Sequence, residues 1–139
     1  MSRFTIAALL AAAMSAAACS NNTPTTPTVT TPTAVTDTFS GTLARNGASS
    51  FAFNVSAAGA VFATLTSIAD SSVAVGLSLG IWNTTTAACS FSPGIANDNA
   101  LQGATITASA SGVGQLCVRI YDVGKVVDPV DYQVTVVHY

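Results

Sequence analysis

The sequence predicts an all-β fold, a single antiparallel β-sandwich of seven to eight strands over residues 36–139. Half of the chain is apolar, but only 7% is charged and glutamate is absent, so Ser, Thr, Asn and Gly must cover the solvated faces. Such small and β-branched polar residues suit the exposed face of a sheet better than a surface helix. From Thr36 onward, apolar and polar residues alternate, and turn clusters recur about every eight to twelve residues, which is typical of a sandwich.

The first three strands are separated by turn-forming residues. Asn46-Gly47 has the chemistry of a tight hairpin turn, because both residues accept positive φ, so the first two strands are predicted to be paired neighbours. Ala57-Ala58-Gly59 then turns the chain into the third strand. The residues expected to face inward are Phe39, Gly41 and Leu43, then Phe51, Phe53 and Val55, then Val61, Ala63 and Leu65.

The clearest alternation lies in the middle of the chain and predicts a central strand. The stretch after it, residues 83–99, contains several turn signals and is expected to be a loop with at most a short strand over 89–91. Three further strands are expected, the first of them over 101–108. The inward positions are Val73, Val75, Leu77, Leu79 and Ile81 in the central strand, Leu116, Val118 and Ile120 in the penultimate one, and Tyr132, Val134, Val136 and His138 in the last.

These strands together resemble a known family. The matching segments are Gly41-Thr42-Leu43, residues 51–55, Gly59, and residues 77–82, 114–120 and 132–136. In this combination they resemble the bacterial pre-peptidase C-terminal domain. The resemblance implies a jelly-roll-like β-sandwich, usually an accessory to secreted hydrolases, with no catalysis of its own.

The N-terminal residues 1–18 have the anatomy of a signal peptide. Arg3 is followed by an apolar run over 4–14, too short to span a bilayer, and then by small residues. Ala16-Ala17-Ala18-Cys19 resembles the lipobox of bacterial lipoproteins, in which the cysteine is lipidated and becomes the new N-terminus. Ser20 in place of Asp resembles an outer-membrane sorting signal. Ordinary signal peptidase cuts the same bond, and an unlipidated chain would be secreted.

Residues 19–35 are predicted to be a lipidated cysteine and a Thr/Pro-rich linker. The segment 20–34 carries three prolines and no aromatic residue, so it cannot form a core. Proline at this density favours extended polyproline II at about 3.1 Å per residue, which would hold the domain up to roughly 45 Å from the anchor. The predicted partner of this region is the membrane, through the N-terminal lipid.

Cysteine arithmetic supports this organisation. The chain has three cysteines, and lipidation of Cys19 would leave Cys89 and Cys117 as a pair. We expect this pair to form a disulfide, with Cys117 facing away from the core and stapling the stretch 83–99 to the outside of the sheet. Two free thiols in a reducing compartment are the alternative, and a metal pair lacks the further ligands that zinc requires.

Charge and hydropathy exclude some classes of function. A formal net charge of −2 offers no basic surface for nucleic acid. The mean hydropathy is +0.54, but after the leader Ser, Thr and Gly interrupt every run of about 20 residues that could span a bilayer. No motif for a cofactor is present, and none is expected.

One pattern in the chain is typical of an enzyme. Residues 76–80 match G-x-S-x-G around Ser78, and Asp122, Asp128, Asp131 and then His138 follow in the order of an α/β-hydrolase. That motif requires a sharp turn between a strand and a helix, whereas Ser78 lies in an uninterrupted alternation. A strand is therefore the preferred interpretation, and a serine hydrolase is the third functional hypothesis.

Two weaker sets of residues complete the candidates. Asp98, Asp122, Asp128 and Asp131 are oxygen ligands of the kind that calcium prefers, but solvated turn carboxylates are the commoner explanation and no metal is predicted. Trp82 and Tyr121 are candidates for stacking on sugar rings. The preferred alternative is that Trp82 caps the core and Tyr121 packs under the long loop.

The sequence thus predicts a non-catalytic binding or structural accessory domain in the cell envelope, facing an envelope protein or a glycan. A carbohydrate-binding module is the second hypothesis.

Overall fold

The computed structural model describes residues 30–139, without the side chains of 92–94. The folded unit runs from Thr31 to Tyr139. The predicted signal peptide, Cys19 and most of the Thr/Pro-rich linker lie outside the described residues. Within the described part of the chain, no helix is long and apolar enough to cross a membrane.

Eight antiparallel strands form two four-stranded sheets within residues 30–139. The strands are β1 Val35–Leu43, β2 Ala48–Val55, β3 Gly59–Ile68, β4 Val75–Asn83, β5 Ala88–Ala100, β6 Thr105–Ala110, β7 Gly114–Tyr121 and β8 Val130–His138. Sheet A has the order β1-β8-β3-β6, and sheet B has the order β2-β7-β4-β5. All neighbouring strands run antiparallel, and the chain passes repeatedly between the sheets, as in a jelly roll. The predicted all-β sandwich is confirmed.

The predicted hairpin between the first two strands is wrong. The turn itself forms, with Asn46 at φ 56° and Gly47 N–H donating to the Ala44 carbonyl at 2.9 Å. However, β1 pairs with β8 and β2 pairs with β7, so this turn carries the chain from one sheet to the other. Turn chemistry determines the local backbone but not which strands pair, and here contacts with the distant Asp122 hold the turn.

The predicted long loop is also wrong. Residues Ala88–Ala100 form β5, which pairs with β4 along the edge of sheet B. An Asn83 side chain that accepts the N–H groups of Thr85 and Thr86 begins the turn into it. Two register shifts interrupt the β4–β5 pairing, which explains why β5 has no regular alternation in the sequence. The following strand begins at Thr105, later than expected, because Leu101 to Ala104 form a turn.

The predicted inward faces account for most of the core between the two sheets. Val61, Ala63 and Leu65 are fully buried, while Ile81 is 60% exposed at the end of its strand and departs from the prediction. Burial of one large aliphatic side chain contributes about 1.5 to 3 kcal/mol, so this shared core is the main source of stability. Its largest buried members include Leu43, Leu65, Leu77, Leu79, Ile120, Val61, Val75, Val118, Val126, Val134 and Val136.

Candidate functional site

The outer face of sheet B gathers most of the residues that the sequence singles out. Leu77 and Leu79 of β4 point into the core, so the alternating residues between and beside them face outward. These are Gly76, Ser78, Gly80 and Trp82. A Cβ atom at Gly76 would collide with the Tyr121 ring, and a Cβ atom at Gly80 would collide with the Ser90 backbone. The two glycines thus allow a side chain and a neighbouring strand to lie directly on β4.

The predicted disulfide joins Cys89 of β5 to Cys117 of β7, with their Cα atoms 5.8 Å apart. Both strands are neighbours of β4, and Cys117 lies opposite Gly80 in the register. The bond therefore links the two strands that flank β4. Cys117 is buried and faces away from the core, as expected, but it is stapled to a strand and not to a loop.

Tyr121 is packed into this face. Its ring lies on Gly76, and its hydroxyl donates a hydrogen bond to the Asp98 carboxylate. The Arg119 guanidinium lies 5.1 Å from the centroid of the Tyr121 ring and 4.9 Å from that of Phe91. Burial, followed by the hydrogen bond and the negative charge of Asp98, raises the pKa of Tyr121 to about 12, against the opposing charge of Arg119.

The two predicted stacking residues do not form a common platform. Tyr121 lies opposite Gly76, whereas Trp82 is six residues further along β4, or roughly 20 Å at about 3.3 Å per residue. Trp82 is half-buried beside Cys89, its register partner, and does not pack against the core cluster. The expectation that Trp82 caps the core is therefore wrong, while Tyr121 packs against β5 much as predicted.

Phe91 and Arg119 belong to this face but were not among the predicted residues. Phe91 is 43% exposed. Phe91 has no recognisable setting in the sequence, because residues 83–99 are predicted to be a loop with at most a short strand over 89–91. Their contact joins β7 to β5, the two neighbours of β4 in sheet B, and strand alternation does not reveal which strands are neighbours.

Asp122 organises a turn. One of its carboxylate oxygens accepts the N–H groups of Gly124, Lys125 and Val126 at 2.8 to 3.0 Å, and the other accepts the Asn46 N–H at 2.8 Å. These donors, with Val126 contributing most, hold the pKa of Asp122 at about 2. The carboxylate links the turn after β1 to the connection between β7 and β8.

The four weak calcium candidates have different surroundings. Asp131 accepts a hydrogen bond from the Thr42 hydroxyl at 2.5 Å, Asp98 accepts one from Tyr121, and Asp128 is exposed. Over residues 30–139, no group of three or more His, Cys, Asp or Glu residues is arranged to hold a metal ion. The structure therefore does not bring the predicted carboxylates together.

Ser78 and His138 lie on opposite sides of sheet B. Ser78 is 2% exposed in the middle of β4 and faces outward, whereas His138 packs against Phe53 between the sheets, with ring centroids 5.1 Å apart and the rings tilted by 33°. His138 Nε2 is 3.1 Å from a carboxylate oxygen of Asp37, a residue that the sequence did not single out because 101 positions separate the pair. The order Ser, Asp, His in the sequence does not correspond to a triad in space.

Sequence reasoning also missed a cavity at one end of the sandwich. It has a volume of about 280 Å³ and lies between β6 and sheet B, beneath the connection from β6 to β7. Alanines, serines and glycines form much of its wall, and these small residues give no signal in the sequence.

No protein-family model matches the chain, and a search of curated proteins finds no similar sequence. The domain is an all-β sandwich of two antiparallel sheets. The resemblance to pre-peptidase C-terminal domains rests on the strand patterns and remains a prediction.

Proposed function

We propose that the chain is a lipid-anchored envelope protein that holds out a non-catalytic β-sandwich with a binding or structural accessory role. The Cys89–Cys117 disulfide is the observation that carries the proposal. Disulfides persist in oxidising compartments, which agrees with the export signal. Of the three cysteines in the sequence, Cys19 is the one that does not belong to this bond, and it comes directly after the small residues of the lipobox-like sequence.

The placement of Ser78 and His138 supports an accessory role in preference to hydrolysis. A serine nucleophile needs a base within hydrogen-bond reach. Ser78 is buried on the outer face of sheet B, and His138 interacts with Asp37 between the sheets. This arrangement favours the interpretation of residues 76–80 as a strand that carries packing contacts.

The anchor is tested by mass spectrometry of the native protein. We expect an acylated N-terminus at Cys19 and recovery of the protein in the outer-membrane fraction. Cys19→Ser should release the chain into the soluble fraction, whereas a variant with Cys89→Ala and Cys117→Ala should remain acylated. An unmodified Cys19 thiol in the native protein would refute the anchor.

The sorting residue is tested with the anchor intact. Ser20→Asp should shift the acylated protein from the outer to the inner membrane on a sucrose gradient, and Ser20→Ala serves as its control. An unchanged distribution of the Asp variant would contradict the outer-membrane assignment.

The choice of partner is tested on glycans. Absence of binding to a glycan array, together with specific binding to one purified envelope protein, would support a role in binding envelope proteins. Glycan binding that is abolished by Trp82→Ala would replace it with a carbohydrate-binding module. Since the Tyr121 ring is covered by Gly76 and Arg119, Tyr121→Ala is expected to change stability more than any glycan affinity. Ester hydrolysis that depends on Ser78 would overturn both roles.

A further inference from the structure

The turn between β1 and β2 contains the only asparagine in the sequence that is followed by glycine. The geometry of the turn suits both residues. Asn46 has φ 56°, in the left-handed region where asparagine is enriched. A Cβ atom on Gly47 would lie 2.8 Å from the Ala44 carbonyl oxygen, so a side chain at this position would force the backbone to shift. The fold therefore places an asparagine directly before a glycine in an exposed turn.

An asparagine before a glycine can react with its own main chain. When the Gly47 N–H loses its proton to hydroxide, the nitrogen can attack the side-chain carbonyl carbon of Asn46. A carbon–nitrogen bond forms, the bond to the side-chain amide nitrogen breaks, and that nitrogen leaves as ammonia after taking a proton from water. Water then opens the cyclic imide at either carbonyl. The product is aspartate, or isoaspartate, in which the main chain runs through the side-chain methylene. Glycine has no side chain that would hinder the attack.

The folded turn restrains the reacting nitrogen. The Gly47 N–H donates to the Ala44 carbonyl at 2.9 Å. Asp122 holds the groups on either side, because its carboxylate accepts the Asn46 N–H at 2.8 Å and its own N–H donates to the Gly47 carbonyl at 2.9 Å. Closure of the five-membered ring requires the nitrogen to rotate toward the Asn46 side chain. That rotation breaks the bond to Ala44, so the reaction needs an open turn.

We infer that Asn46 is a site of deamidation, and that the hydrogen bonds between the β1–β2 turn and Asp122 set its rate. The reaction occurs in the fraction of molecules in which the turn is open. Aspartate at this position brings a second carboxylate close to that of Asp122, and isoaspartate adds a methylene to the main chain of the turn. Both products weaken the link between this turn and the connection from β7 to β8. The inference is independent of the anchor and of any binding partner.

The test follows the amide of Asn46 over time. The purified protein is incubated in mildly alkaline buffer, folded or unfolded in urea, and the peptide that contains Asn46 is analysed by mass spectrometry. We expect conversion to the acid in both samples, at least about tenfold more slowly in the folded protein. Asn54, followed by the β-branched Val55, is the internal control and should keep its amide. Equal rates in the two samples would exclude protection by the turn, and an unchanged amide in the unfolded chain would exclude the site.

Asp122→Asn and Asp128→Asn form a matched pair. An amide at position 122 has one acceptor oxygen, so either the Asn46 N–H or the donors of the β7–β8 connection lose their partner. The rate in the folded protein should rise about fivefold or more, as expected for the loss of one hydrogen bond. Asp128 is exposed and outside these contacts, so its variant should react at the parent rate. An unchanged rate in Asp122→Asn, or an equal rise in both variants, would contradict the role of Asp122.

The products test the effect on the turn. Deamidated protein carries one more negative charge, so anion exchange separates it from the parent, and peptide mapping gives its content of isoaspartate. We expect the deamidated protein to unfold at a lower urea concentration than the parent. Asn46→Asp reproduces the aspartate product alone, and fractions rich in isoaspartate should be less stable than this variant. A urea midpoint equal to that of the parent in those fractions would show that the reaction does not loosen the turn.

Discussion

Removal of the Cys89–Cys117 disulfide should cost a large share of the stability of the domain. The two cysteines are separated by 28 positions, so the bond closes a loop of about 29 residues. The chain-entropy relation gives about 12 cal/mol/K for such a loop, or about 3.6 kcal/mol at 25 °C. Small domains are stable by only about 5 to 15 kcal/mol in total.

The assay is urea denaturation of three samples: the oxidised protein, the same protein reduced before unfolding, and the double variant Cys89→Ala, Cys117→Ala. The reduced sample keeps every side-chain carbon, so it separates loss of the cross-link from the cavity that alanine leaves at the buried Cys117. We expect a loss of about 3 to 4 kcal/mol on reduction and a fall in melting temperature on the order of 15 °C.

The free energies must be compared together with the urea dependence of unfolding. A cross-link compacts the unfolded chain, so the oxidised protein should show the smaller slope. A loss below about 1 kcal/mol on reduction, with both thiols then accessible to alkylation in the folded protein, would refute the role of the bond. Recovery of alkylated Cys89 and Cys117 from the native protein without reduction would refute the bond itself.

Three further substitutions test the packing and the turn. Gly76→Ala should destabilise the domain by about 1 to 3 kcal/mol in urea denaturation, because its methyl group displaces the Tyr121 ring. Gly112→Ala is the control. A Cβ atom at Gly112 meets open space, so this variant should change stability by less than about 0.5 kcal/mol. The pKa of Asp122 is about 2 in the folded chain, below its ordinary 3.8, so its contribution to stability is present above pH 3.8 and is lost as the pH falls from there toward 2. Asp122→Asn should flatten this part of the pH profile of the urea midpoint relative to Asp128→Asn, and parallel profiles would contradict the assignment. Asp37→Ala removes the partner of the buried His138 and should lower the free energy of unfolding by about 1 to 3 kcal/mol at neutral pH. Asp37→Asn should lower it by less. Equal losses of stability in the two variants would exclude the hydrogen bond as the cause.

The inward face of each strand was predictable, but the pairing of strands was not. Alternation places Val61, Ala63 and Leu65 in the core because side chains on a strand point to opposite faces in turn. The same alternation does not indicate which strands pair with each other. β1 pairs with β8, and Val35 lies opposite His138 in this pairing. The two residues are at opposite ends of the sequence of the domain, and the residues around each of them do not indicate that they pair.

The site was predictable in part for a related reason. The disulfide followed from the number of cysteines, which is a property of the sequence alone. The burial of Tyr121 depends on β5, whose register shifts against β4 remove the alternation that would have revealed it as a strand. The cavity depends on small residues in the connection after β6, which form a wall only once the two sheets are in place.

The spacing G-x-S-x-G has a packing explanation in this fold. Gly76 accommodates the Tyr121 ring and Gly80 accommodates the backbone of β5 at Ser90, so each glycine is required by what lies on it. Ser78 lies between them on the same face and is buried. The two glycines are four residues apart because every second residue of β4 faces outward, where the Tyr121 ring and the Ser90 backbone lie against it. A sequence pattern associated with a nucleophile can therefore arise wherever a strand is covered closely at two points on one face.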